Sequence, residues 1–273
     1  MIRPLTFSET DFRITVEVVP PAGADAKPLL DALVNLADLP IDGFSVATNP
    51  VATPRMSALA LCALIQERTG RPAVLHCTTR DHNRLSQQGK LWGARALGIH
   101  TVLMATGDYV ALKERNITTT VRDLDVFDLV ALGRGTGLHT GVVLDPRPES
   151  RGLEREVGRL RRKVAVGAQF AVTQPVYDQA QVAALVQGLG DIGIPVIMGI
   201  LPLRTPKHAE FLHAKVAGIE VPDEVRQRMH RAADAVAEGV LNAREMLALA
   251  REHFAGACIM PPFDHYEVLA DII

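Results

Sequence analysis

Glu17 stands in the stretch Ile14–Pro21, which reads I-T-V-E-V-V-P-P. Ile14, Val16, Val18 and Val19 are β-branched and apolar, which suits a buried strand, and Pro20-Pro21 stops that strand. A carboxylate inside a buried strand costs on the order of several kcal/mol unless it is paired or protonated. Glu17 therefore either faces a polar pocket as an ordinary strand residue or is there for its proton. Further polar side chains fall where later strands are expected to end: Thr48 and Asn49, His76, Asp108, Asp145, and Thr173 with Gln174; Met260-Pro261-Pro262 ends the last strand. Each alone means little, but their convergence on a buried glutamate would make a site.

The elements that must position them alternate. Strands are predicted at 14–19, 43–47, 73–77, 101–104, 139–144, 170–174, 196–200 and 257–260. Between them the sequence predicts helices: Leu29–Leu36; a helix opened by Pro54 and ending near Gly70; one capped by Asp81 and running to Gly98; Asp123–Gly133; and a stripe of Leu153, Val157, Leu160 and Val164. Arg155, Arg159, Arg161, Arg162 and Lys163 form the opposite, basic face of that last helix. Val182–Leu189, a helix started by Thr205-Pro206, Pro222–Ala235 and Ala243–His253 follow, and Asp264-x-x-Glu267 resembles a capping box. Gly133–Gly137 precedes a strand and reads as a flexible loop. About eight strands alternating with helices imply a parallel sheet, and the count favours a single α/β domain over 1–273, a (β/α)8 TIM barrel with extra helices before the last strand. In such a barrel these strand ends share one mouth.

Composition narrows the classes. The chain has 273 residues, 48% hydrophobic and 4% aromatic, with a formal net charge of -2, so nothing electrostatic argues for nucleic acid or an anionic membrane. Cys62, Cys77 and Cys258 lie far apart, which fits a reducing, cytoplasmic setting. No long apolar segment marks a signal peptide or membrane span. His76, Asp81, His82, Asp108 and His139 could supply metal ligands, but no spacing among them is diagnostic, and no metal is expected. No G-x-S-x-G elbow supports a hydrolase, and no G-x-G-x-x-G follows the first strand. Trp92 reads as helix packing against the barrel, Cys77 as a packed strand residue, and His139 as a strand start without a role.

V-E-V-V-P-P resembles the F-E-F-F-P-P of the methylenetetrahydrofolate reductase family, a (β/α)8-barrel family. His76-Cys77-Thr78-Thr79 is similar to its H-L-T-C, and Thr106-Gly107-Asp108 to its R-G-D loop. The stretch 161–178, with Lys163, Gly167, Thr173, Gln174 and Asp178, echoes its K-x-K-V-x-A-G-A…I-T-Q…F-D segment, and G-I-L-P at 199–202 and I-M-P-P-F near the end complete the series. The resemblance implies NAD(P)H-dependent reduction of 5,10-methylenetetrahydrofolate to 5-methyltetrahydrofolate. Glu17 would be the general acid that protonates the pterin nitrogen as the imidazolidine ring opens. Gln174 would orient pterin and reduced cofactor, Asp108 would stabilise the iminium, and Asn49 would join them at the substrate.

Thr48, His76, Thr106, Asp145 and Lys163 occupy the resemblance's cofactor positions, and there the chain departs from the family. Thr106 replaces the usual Arg, Ala47-Thr48 a Thr-Tyr pair, Asp145 a Tyr and Arg159 an Asn; Lys163 alone of that set is retained. Loss of a charge-assisted phosphate contact costs about 1.5–3 kcal/mol. The resemblance is thus closer to the small, flavin-independent actinobacterial branch, with NADH as co-substrate and no FMN or FAD. The alternatives are the same reaction through bound FMN or FAD, a flavin barrel of the proline dehydrogenase type, and a non-catalytic folate-binding subunit of a methyl-transfer complex. Oligomeric state and the choice between NADH and NADPH are not readable.

Overall fold

Residues 2–110, 117–145, 152–216 and 218–273 are described by the structure, a computed structural model. Eight parallel strands close into a barrel in sequence order: β1 (Arg13–Val18), β2 (Gly43–Val46), β3 (Ala73–Thr78), β4 (Thr101–Ala105), β5 (His139–Leu144), β6 (Phe170–Pro175), β7 (Val196–Ile200) and β8 (Gly256–Ile259). Helices α1 (Lys27–Val34), α2 (Ala58–Thr69), α3 (Arg84–Ala96), α4 (Val126–Gly135), α5 (Leu153–Ala165) and α6 (Gln179–Leu189) alternate with them. The extra helices expected before the last strand are α7 (Pro206–Lys215), α8 (Asp223–Arg231) and α9 (Ala235–His253), and a short α10 (Leu269–Ile272) closes the chain. Among the described residues no helix is long and apolar enough to cross a membrane.

Side chains alternate across a strand, so each strand serves two environments. Ile14, Val16 and Val18 of β1 belong to the large core between barrel and helices. Thr15 and Glu17 therefore face the interior. The interior's apolar part is Val74, Leu103, Phe170, Val172, Ile197 and Cys258, joined by Leu5 and Phe7 from the amino-terminal segment. That segment closes the lower end. The Phe7 N–H donates to His139 Nε2 (3.3 Å), the His139 and Phe170 rings stack at 5.0 Å, and Phe7 lies 4.5 Å from Phe170. Gly141 makes the room: a Cβ there would stand 2.2 Å from the Phe170 ring.

At the upper end β6 carries one extra residue against β7. Val172 pairs with Ile197 but Pro175 pairs with Gly199, a bulge spanning Thr173-Gln174. The Thr173 hydroxyl accepts from the Gly199 N–H (2.9 Å), and a Cβ on Gly199 would lie 2.5 Å from the Thr173 carbonyl oxygen.

Several local expectations are corrected. Asp81 does not cap α3; the Asn83 side chain does, accepting from the Ser86 N–H. Pro54 lies before α2, whose cap position is Ser57. Gly133 and Gly135 end helix α4 instead of forming a loop, and Gly133 is pressed against Met104, where a Cβ would sit 2.6 Å from the methyl. The break between the late helices falls at Ala232–Asp234, because Asp234 caps α9. Asp264 and Glu267 form no capping box; Glu267 pairs with His265. Trp92 does not pack on the barrel, being 64% exposed. Pro146, expected just after β5, lies outside the described residues.

Candidate active site

Glu17 lies on the interior face near the upper end of β1, in register with Ser45 on β2. Loss of hydration raises its pKa to about 7, and the Asp108 carboxylate adds to the rise by like-charge repulsion. Cys258 on β8 and Tyr266 in the turn after it also feel Glu17 and are pushed up by burial, so both are uncharged near neutrality. Beside Glu17, the Ser45 hydroxyl meets His76 Nε2 at 2.7 Å. Burial, and then the charge of Lys90 on α3, hold His76 down at about 4, so its imidazole is neutral.

Asp108 sits in the loop after β4, exposed, with Oδ2 accepting the Val51 N–H at 2.6 Å. Val51 follows Asn49 in the loop after β2; Asn49, Val51 and Ala52 all have left-handed backbones, with φ of 43°, 49° and 56°. Asn49 itself is occupied within the protein: its Oδ1 accepts from the Arg55 N–H (3.0 Å) and its Nδ2 donates to Asp81 (3.0 Å). Thr48, half-buried, precedes it in the same loop. Thr106 is exposed, and its carbonyl accepts from the Thr79 hydroxyl at 3.2 Å.

Across the mouth Gln174 occupies the β6 bulge, half-buried. Gly218, at φ 89°, is wedged between it and Asp145: a Cβ there would lie 3.3 Å from Gln174 Cγ and 3.2 Å from Asp145 Oδ2. Gln174 and Asp145, far apart in sequence, thus share one neighbour. Lys163 does not belong to a solvated basic face. It is 7% exposed, and its ammonium donates to the Val143 carbonyl on β5 at 2.6 Å. Burial and the nearby Arg159 lower its pKa to about 8.

Two groups escaped the sequence. Ser45 was hidden in an apolar strand, and only the register Glu17–Ser45 reveals it. Arg80, whose side chain is 4% exposed, forms a bidentate pair with Asp81 and bonds to two further loops. The adjacent opposite charges in T-T-R-D directly after a strand were the available signal.

The methylenetetrahydrofolate reductase family model matches residues 4–251. A probable methylenetetrahydrofolate reductase (NADPH) of Caenorhabditis elegans is 25% identical over 173 residues, 62% of this chain; the aligned part is 26% of that protein, so the chain spans about a quarter of this curated relative. Among solved structures, an uncharacterised Clostridium thermocellum protein that binds two copies of 5-methyl-5,6,7,8-tetrahydrofolic acid superposes with a TM-score of 0.71 at 15% identity, covering 96% of this chain and 93% of that one. The tryptophan synthase α-subunit of Pyrococcus furiosus superposes at 0.54 and 12% identity, covering 93% and 88%. At such identities these likenesses speak for the barrel alone.

Proposed function

Because the chain belongs to the methylenetetrahydrofolate reductase family, we propose that it reduces 5,10-methylenetetrahydrofolate to 5-methyltetrahydrofolate, with hydride passed directly from NADH and the proton supplied by Glu17. The observation that carries this reading is a partly buried interior carboxyl poised at about 7 beside a second carboxylate. A general acid works best with a pKa near the operating pH. The folate-binding Clostridium thermocellum neighbour supports a reduced folate as the class of ligand for such a mouth.

The carboxyl of Glu17 gives its proton to a nitrogen of the imidazolidine ring as that ring's C–N bond breaks, leaving a methylene iminium on the other nitrogen. The Asp108 carboxylate stabilises this cation from a position fixed before reaction. NADH reduces the iminium carbon to a methyl group and leaves as NAD+, and Glu17 regains its proton from solvent. Gln174, with an amide that both donates and accepts, holds the pterin edge.

Among the described residues, those at the mouth do not fit a flavin phosphate. Thr106 brings no charge and Asp145 brings the wrong one. Arg80 is committed to Asp81, and Lys163 to the Val143 carbonyl. Thr48, Thr106 and Asp145 are assigned to the dinucleotide side of the mouth, with His76 and Lys163 beneath it.

The test is NADH absorbance followed with flavin-free protein and methylenetetrahydrofolate. Folate-dependent NADH oxidation is expected. Activity that appears only on adding FMN or FAD would overturn direct transfer. Tight folate binding with no turnover under either condition would favour a non-catalytic folate-binding subunit.

A further inference from the structure

The loops after β2, β3 and β4 meet on one side chain. Arg80 Nε and Nη2 donate to the two carboxylate oxygens of Asp81 at 2.5 and 2.8 Å. Nη2 also donates to the Asn49 carbonyl at 3.0 Å, and Nη1 to the Asp108 carbonyl at 3.1 Å. Asp81 in turn accepts from Asn49 Nδ2 (3.0 Å) and from the Thr78 hydroxyl (3.3 Å). A planar fork with several fixed donors can span such a set, whereas an ammonium cannot.

Asp108 is gripped at both ends by this unit. Its carbonyl is held by Arg80, and its carboxylate by the N–H of Val51, which belongs to the loop that Arg80 holds through Asn49. A β-branched residue at φ 49° is strained and persists only where its surroundings impose it. Gly107, at φ 83°, lets the β4 loop lie directly on the β3 loop: a Cβ there would come within 3.1 Å of Thr78 and 3.3 Å of Arg80.

We propose that Arg80 is a positioning residue, clasping the three loops so that the Asp108 carboxylate stays beside Glu17. The proposal rests on the reading of Glu17 as the acid. The groups that face Glu17 are Asp108 from the loop after β4, Cys258 from β8, Tyr266 from the turn after it, and the Ser45–His76 pair from β2 and β3. Asp108 is the carboxylate whose charge acts on Glu17, so Glu17 reports where Asp108 is.

The sign of the effect separates positioning from simple charge removal. Deleting a nearby cation by itself would raise the pKa of Glu17, and so would freeing Asp81. Loss of the clasp instead lets Asp108 drift away, which lowers it. The experiment is a carbon-detected NMR titration of the full chain labelled in its glutamate carboxyls, with the Glu17 signal assigned by its absence in Glu17→Gln. Arg80→Met is expected to shift the Glu17 midpoint downward by at least about 0.5 pH unit, the order of one lost like-charge neighbour. Asp108→Asn is expected to do the same, and the double variant to shift no further than Asp108→Asn.

An unchanged or raised midpoint in Arg80→Met, or additive shifts in the double variant, would overturn the proposal. If Arg80→Met fails to fold, Arg80→Lys, which keeps the charge and loses the fork, is read in its place with the same expectation. The titration needs no turnover. Failure of the reductase reading, seen as wild-type protein inert toward methylenetetrahydrofolate, is thus distinct from failure of the clasp.

Discussion

The two ends of the barrel interior use the same strand positions for opposite purposes. On β6, Phe170, Val172 and Gln174 share one face; the first two fill the core and the third lines the mouth. On β3 the step is from Val74 to His76, and on β1 from Thr15 to Glu17. His76 and His139 are both held near 4 by burial, so each is neutral at pH 7. Yet His139 is fixed by the Phe7 N–H and the Phe170 ring, whereas His76 bonds to Ser45 beside a titrating carboxyl. Two residues along a strand separate a packed plug from a polar chamber. Stability and chemistry should therefore come apart when the two ends are perturbed, as expected for a barrel whose site lies at the carboxyl ends of its strands.

Glu17→Gln should show the largest effect. Turnover should fall by about 10²–10⁴-fold, the range for a lost general acid. Stability should move the other way. The carboxyl's pKa is raised from 4.5 unfolded to about 7 folded, so its contribution is complete below 4.5 and is lost as pH rises toward 7. An isosteric amide avoids that loss, and Glu17→Gln should be more stable than wild type at pH 8 by about 1–3 kcal/mol in urea unfolding. Wild-type kcat/KM should be flat below pH 7 and decline above it. Retained turnover, or no gain in stability, would erase the contrast between the two ends.

Phe170→Ala is the mirror experiment. The side chain is fully buried within the lower aromatic stack, and its loss should cost about 3–5 kcal/mol. The midpoint of the pH–rate profile should not move, because nothing near Glu17 changes. His139→Ala should cost less, about 2 kcal/mol, by leaving the Phe7 N–H unpaired and removing a stacked ring. Its pH signature is distinct. A histidine lowered from 6.5 to about 4 contributes stability that is present above 6.5 and lost as pH falls toward 4. The variant should unfold less steeply with acid, measurable by urea midpoints at pH 7 and 5. An acid response equal to wild type would place the sensitivity elsewhere.

Much of this was legible because the signals are local. Alternation of apolar residues marked each strand, and the proline pair after Glu17 located the strand end that matters. Thr205-Pro206 announced α7 correctly, since cap and first turn are set by adjacent residues. What was hidden depends on register and on distance in the chain. Arg80 bonds to residues 31 and 28 positions away. Lys163 lies on a basic helix whose Arg155, Arg161 and Arg162 are exposed, and only the packing of α5 on β5 shows it turning inward. Asp81 was assigned to capping because a helix follows it, but a buried guanidinium claims both of its oxygens first. The β6 bulge, which aims Gln174, leaves no mark in sequence beyond the glycine at 199 that accommodates it.

Gln174 gives the smallest and most selective of these effects. Its amide stands half-buried on the bulge, while the fold is secured there by Thr173, whose hydroxyl receives the Gly199 N–H and donates to the Gln174 backbone carbonyl. The side chain can therefore be removed without touching the bulge. Gln174→Ala should raise the KM for the folate by about tenfold, the scale of one or two lost hydrogen bonds, while urea stability stays within about 0.5 kcal/mol of wild type. Thr173→Val should do the reverse, destabilising the strand junction first and affecting binding only through it. If Gln174→Ala instead lost stability and kept its KM, the bulge would be a packing device and the pterin would have to be held from the Asp108 side alone.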